Sequence, residues 1–160
     1  MKRFAILGML GCLVVLALAV NTGTTLATAP SGTTATFAYQ ATLSPYHFHS
    51  RNFKIDQKKT QDIVMKQLTI APGGATGWIS HPGPTFVIVV TGTLSFYEAE
   101  DPTCTPTRYP AGQAFVQAPG DVHNARNEGT TMVTLEITFL DVPVGGASRI
   151  DAPKPGNCSF

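Results

Sequence analysis

Residues 73–92, GGATGWISHPGPTFVIVVTG, decide how this chain is read. Gly73-Gly74 opens the stretch, Gly92 closes it, and His81-Pro82-Gly83-Pro84 breaks it in the middle. The break separates a short extended piece, Ala75 to Ser80, from Thr85 to Thr91, a continuous apolar run of strand length. Beyond Gly92, Leu94 and Phe96 alternate with Thr93, Ser95 and Tyr97 as far as Glu98. Two strand-like runs joined at a glycine make a hairpin.

The same grammar continues on either side. Downstream, Ala111-Gly112 leads into Gln113 to Gln117, Pro119-Gly120 makes a turn, and Asp121 to Arg126 is extended. The clearest alternation follows: Val133, Leu135, Ile137 and Phe139 share one face and Met132, Thr134, Glu136 and Thr138 the other, a strand with one buried side. Upstream, Pro30 to Ala35 reads as a flexible lead-in and Thr36 to Thr42 as the first ordered strand. Tyr46 to His49 alternates aromatic residues with histidine, Asp56 to Gln61 reads as a solvent loop, and Gln61 to Ile70 as a strand ending in a turn at Ala71-Pro72-Gly73-Gly74. The segment after Asp141 is rich in Pro and Gly and is expected to wrap the surface. With about eight to ten short strands and no convincing helix beyond the N-terminal segment, the chain is expected to be all-β, a sandwich or barrel.

Composition agrees. The chain has 160 residues, 43% hydrophobic and 13% charged, with 15 Gly and 12 Pro, which favours one domain of short elements over long helices. With Lys2 and Arg3 set aside, nine Lys and Arg face ten Asp and Glu. No basic stripe is left to neutralise phosphates, so no nucleic-acid partner is expected, and no membrane partner for the mature part. Residues 1–29 combine the basic start Lys2-Arg3, the apolar run Phe4 to Val20 and two small-residue sites, Thr25-Leu26-Ala27 and Ala27-Thr28-Ala29. That is a signal peptide pattern and implies export to the periplasm, cell surface or medium. An uncleaved anchor and lipid attachment at Cys12 compete with it. Beyond Cys12 only Cys104 and Cys158 remain, an even pair that export would allow to bond. The bridge would close a loop of roughly 55 residues, stabilise by about 4 kcal/mol, and tether a C-terminal tail at 151–160.

Residues 73–92 and the later stretch 112–127, GQAFVQAPGDVHNARN, resemble the two motifs of the cupin superfamily, G-x5-H-x-H-x3-E-x6-G and G-x5-P-x-G-x2-H-x3-N. Gly112, Gly120, His123 and Asn127 fall in register in the second, with Ala118 where proline is usual. In the first, Gly73, His81 and Gly92 are in register, while Ile79 stands at the first histidine and Thr85 at the glutamate. The phrases TIAPGGATGW, SHPGPTFVIVV and PTCTP are similar to those of small exported bacterial cupins. The resemblance implies a double-stranded β-helix, the cupin jelly-roll barrel, over residues 36–150, and allows a homodimer.

In a strand, residues two apart share a face, so positions 79 and 81 point the same way, and 85 and His123 can converge with them. In metal-binding relatives these four positions supply three imidazoles and a carboxylate to one divalent ion. The spacing does not choose among Fe, Mn, Zn, Ni and Cu. Here Ile79 cannot donate and Thr85 offers only a hydroxyl, so the pocket is Ile79, His81, Thr85 and His123 with an incomplete donor set. His47 and His49, also two apart, are the candidates to complete one. Against these stand plainer readings: His81 and His123 as hydrogen-bonded interior histidines, His47 and His49 as half-exposed strand residues, Trp78 as packing, Asn127 as a turn residue. Ser44, Ser80 and Ser95 lie in no nucleophile elbow, so a serine hydrolase has no support. Two functions follow. One is a small-molecule-binding pocket with no tightly bound metal. The alternative is a metal-dependent dioxygenase or isomerase using His81, His123 and His47 or His49.

Overall fold

The computed structural model describes residues 26–160. The N-terminal reading falls mostly on residues 1–25 and lies outside the described residues. No helix among the described residues is long and apolar enough to cross a membrane.

The described residues form twelve strands, ten of them in one antiparallel sheet that curls into a nearly closed barrel. One side consists of β1 (Ser31–Leu43), β4 (Gln61–Ala75), β11 (Val133–Val142), β6 (Thr85–Thr91) and β9 (Ala114–Gln117), hydrogen-bonded in that order. The other consists of β12 (Ile150–Asp151), β5 (Ile79–Ser80), β10 (His123–Arg126), β7 (Thr93–Glu98) and β8 (Thr107–Pro110). Strands β2 (Tyr46–His49) and β3 (Lys54–Gln57) make a separate two-stranded ribbon.

Alternation explains the core. On β11, Val133, Leu135, Ile137 and Phe139 are buried while Thr134, Glu136 and Thr138 are half-buried. These meet Val64 and Ile70 of β4, Val87 and Val89 of β6, and Leu94 and Phe96 of β7 in one cluster, so the inner faces of both sides share one interior. The apolar run on β6 is not buried on both faces. Phe86, Ile88 and Val90 turn outward and are exposed, while Thr85, Val87 and Val89 turn in. Gly92 makes the turn from β6 to β7 with φ +73°, and a Cβ there would lie 2.8 Å from the Met132 carbonyl oxygen.

Four local expectations are corrected. Strand β1 begins at Ser31, upstream of Thr36, because Thr33, Thr34 and Ala35 pair with Ile70, Thr69 and Leu68; partners distant in sequence outweigh the polar composition. Strand β4 does not stop at Ala71-Pro72-Gly73-Gly74 but passes through it with an irregularity between the Ser31 and Thr33 pairings, then meets β10 at Ala75. There Gly73 N–H donates to Asn127 O and Asn127 N–H to Gly74 O, while buried Asn127 Nδ2 donates to Ile70 O and Thr131 O. Part of the expected solvent loop, Asp56-Gln57, lies in β3. The segment after Asp141 does more than wrap the surface: β12 adds to β5, and Ser148 is buried.

Candidate functional site

The barrel encloses a cavity of about 170 Å³. Its walls are mostly apolar, with Leu94, Phe115, Leu135, Ile137 and Phe139 among them. His81, just after β5, and His123, the first residue of β10, both line it. Register brings them together: His123 pairs with Ile79, and His81 lies two residues beyond Ile79, so all three side chains face inward. The two imidazole centroids are 5.0 Å apart, and His123 also stacks at 5.0 Å on Phe96.

Each imidazole is held by a backbone carbonyl. His81 Nδ1 is 2.7 Å from Ser148 O and His123 Nδ1 is 2.9 Å from Asp121 O. A carbonyl only accepts, so Nδ1 carries the proton in both rings and Nε2 keeps its lone pair. Gln117 sits 3.3 Å from His123 Nε2 and must present its amide nitrogen there, which leaves Gln117 Oε1 buried without a partner. Burial, aided by Lys66 and Arg149, pushes His81 down to about 4, against the opposing Ser148 bond. Burial and the neighbouring His81 push His123 down to about 3. Both rings are therefore neutral at neutral pH.

The other expected site residues lie elsewhere. Thr85 is fully buried on β6, its hydroxyl donating to Gly83 O at 3.3 Å, and it does not line the cavity. His47 and His49 lie on β2, exposed, in the separate ribbon, and line no part of the cavity. The structure does not bring them to His81 and His123, because residues 46–57 pair with one another and not with the barrel. Among the described residues, no three His, Cys, Asp or Glu side chains are grouped to hold a metal. Ile79 offers no lone pair and the Thr85 hydroxyl is turned to Gly83, so the donors present do not fit a tightly held catalytic ion.

Four contributors were not singled out in the sequence. Lys66 and Gln117 line the cavity from inward positions of β4 and β9, and the strand alternation carried the signal for both: Val64, Lys66, Leu68, Ile70, and Phe115, Gln117. Ser148 and Arg149 come from irregular chain with no periodicity to read. Arg149 donates to Thr76 O at 3.0 Å and pairs with Asp151 at 2.6 Å.

Residues 66–142 match the family model described as a cupin domain. The chain carries a cupin domain. Among solved structures, this cupin is similar to a conserved protein with a double-stranded β-helix domain from Klebsiella pneumoniae, with 21% identity over 57% of this chain and 71% of that one and a TM-score of 0.46. An oxalate oxidase matches at 26% identity over 49% of this chain and 42% of that one, TM-score 0.43. Bacillus subtilis oxalate decarboxylase matches at 19% identity over 56% of this chain and 23% of that one, TM-score 0.48. No curated protein matches the sequence. On the outer side of β5 the Cys104–Cys158 disulfide, with Cα atoms 5.4 Å apart, fixes the tail.

Proposed function

We propose that this cupin domain is a binding protein whose barrel cavity takes one small molecule, apolar in body, with its polar end at His81, His123 and Gln117. The observation that carries the reading is a largely apolar cavity of about 170 Å³ in the barrel whose imidazoles are neutral and fixed in one tautomer. That volume is comparable to the roughly 150 Å³ cavity that admits benzene in an engineered protein. A few placed polar groups in an apolar pocket supply orientation and specificity.

Titrating phenol into the protein, followed by calorimetry and by amide shifts, tests this. Binding is expected, and Ala125→Leu, which adds three carbons to a cavity wall, is expected to abolish it. Phenol that fails to bind, or that binds the filled variant equally well, would refute the reading.

A metal-dependent enzyme is the second reading, and one observation favours it: carbonyl-held Nδ1–H groups leave the Nε2 lone pair of both rings unprotonated, that of His81 without a partner among the described residues and that of His123 met by the Gln117 amide, and carbonyl-held Nδ1–H is the arrangement seen in metal-bound imidazoles. It requires a third protein donor. Transition metal present stoichiometrically in protein purified from its native source would support it over the first.

We further propose that the domain works outside the cytoplasm. The pattern of residues 1–29 and the bonded Cys104–Cys158 pair support this. Cleavage after Ala27 would keep Thr28, whose hydroxyl oxygen accepts from Trp78 N–H at 2.6 Å, whereas cleavage after Ala29 would remove it. The N-terminal residue of the secreted protein, read by mass spectrometry, decides between them.

A further inference from the structure

The cavity is not electrically neutral. Lys66 occupies an inward position of β4, between register partners Ala38 and Ile137, where Val64, Leu68 and Ile70 are apolar. Among the described residues it forms no ion pair, and its ammonium lies 5.6 Å from the Phe139 ring centroid. Arg149, also in the lining, uses Nε on Asp151 and one terminal nitrogen on Thr76 O, leaving the other terminal nitrogen without a partner among the described residues. Among the described residues, no Asp or Glu lines the cavity. Both cations are half-buried whereas His81, His123 and Gln117 are buried, so the positive charge lies toward the mouth and the imidazole pair lies deep. Each cation lowers the basicity of His81, which places their fields inside the same chamber. An unpaired ammonium on a core-facing strand position is costly unless something negative meets it.

The deep end has the opposite character. His81, whose Nδ1 is held by Ser148 O, lines the cavity and has in Nε2 an acceptor with no partner among the described residues. A buried acceptor without a donor is unfavourable, and a ligand hydroxyl would satisfy it.

Resting on the binding reading above, we propose that the cavity selects a monocarboxylate of single-ring size bearing a hydroxyl at its far end: carboxylate at Lys66 and Arg149, ring against Phe139, Leu135 and Phe115, hydroxyl donating to His81 Nε2. A neutral molecule leaves the two cations unmet. A molecule with an acidic group at both ends places one of them against acceptors.

Calorimetric titration of the disulfide-intact protein tests the assignment with 4-hydroxybenzoate, benzoate and neutral 4-hydroxybenzyl alcohol as probes. 4-Hydroxybenzoate is expected to bind tightest, with loss of the carboxylate or of the hydroxyl each weakening binding about tenfold, the scale of one charge-assisted or buried hydrogen bond. Lys66→Met, close in length and apolar, is expected to remove the preference for 4-hydroxybenzoate over the alcohol, read as the ratio of the two affinities in the same variant; Lys66→Gln serves as the second variant, with thermal unfolding as the check on folding. If the alcohol binds the parent protein as well as 4-hydroxybenzoate does, or if both variants keep the preference, the carboxylate assignment is overturned and the cavity remains a binding site. Failure of every probe, phenol included, would overturn the binding reading itself.

Discussion

Trp78 and Ile79 are neighbours in the chain, yet they face opposite sides of the β5 segment, and the two sides are finished differently. On the outer side Trp78 is fully buried: Phe160 stacks on it at 6.3 Å, its indole N–H donates to Phe160 O at 3.1 Å, and Ala152 N–H donates to its carbonyl at 2.9 Å. Tyr97 and the Arg126 guanidinium close on the same Phe160 ring at 4.8 and 4.0 Å. On the inner side Ile79 and His81 face a chamber lined by the Lys66 ammonium, which forms no ion pair among the described residues. The outer side is occupied by the protein's own tail, and the inner side has room for a molecule the chain does not supply. Close packing is the rule in protein interiors, so a chamber of this size beside such a filled face is what the proposed binding role rests on.

The largest expected effect comes from cutting the tail's anchor. Cys104→Ser with Cys158→Ser opens a loop spanning 54 residues of sequence and should lower unfolding free energy by about 4 kcal/mol in the chain-entropy model. Because β12 pairs with β5, Ser148 O holds His81 and Arg149 lines the chamber, probe binding should weaken as well, even though the disulfide touches neither imidazole. Urea unfolding and phenol titration measure the two effects. A variant that loses stability but binds phenol unchanged would show that the two sides of β5 are independent.

That coupling was the least legible part of the sequence. The barrel was readable because β11 alternates cleanly and glycines punctuate the hairpins, and positions 79, 81 and 123 met as strand periodicity required. Periodicity needs regular backbone, and Ser148 and Arg149 stand in chain that has none, placed by hydrogen bonds to His81 and Thr76 instead. The histidine pair on β2 illustrates the opposite error. Alternation correctly put His47 and His49 on one extended segment, but it is silent about which partner a strand will choose, and β2 chose β3. Lys66 lay within reach of the same rule, since a lysine in the apolar phase of β4 marks either an edge or a site.

A second break in the comparison changes only the inner side. Ile79→His places a third imidazole opposite His123 and two residues from His81, so the chamber should gain a zinc or nickel site. At free metal about a hundredfold above Kd, the variant should be stabilised by about 2.7 kcal/mol, read as a metal-dependent rise in melting temperature, while the parent protein shows none. Equal metal-dependent stabilisation of the parent would mean that two imidazoles already suffice, reviving the metalloenzyme reading.

Acid also acts on the inner side first. Both imidazoles sit below their ordinary 6.5 in the folded protein, at about 4 and about 3, so the unfolded chain takes up these protons at higher pH than the folded one. Stability from the pair is intact above the unfolded value and falls as pH drops below it, by about 2 kcal/mol in all between about pH 6 and pH 5, and levels off once the folded values are passed. His123→Gln should remove roughly half of that slope in denaturant unfolding across this range. A slope unchanged by the substitution would assign acid sensitivity to other groups.

The smallest effect sharpens the outer side alone. Phe160→Ala removes the ring that Trp78, Tyr97 and Arg126 share, but Phe160 is only half-buried and its backbone carbonyl can still accept from the indole, so the cost should stay near 1 kcal/mol, the scale of an aromatic pair. Trp78 fluorescence should shift to the red as water reaches the indole. Phenol affinity should hold constant, because Cys158 still pins the chain and Ala152 still bonds to Trp78, leaving β12, Ser148 and Arg149 in place. If so small a change to the tail tip did weaken binding, packing at Trp78 itself would be what positions His81, and the disulfide would act only by keeping that ring seated.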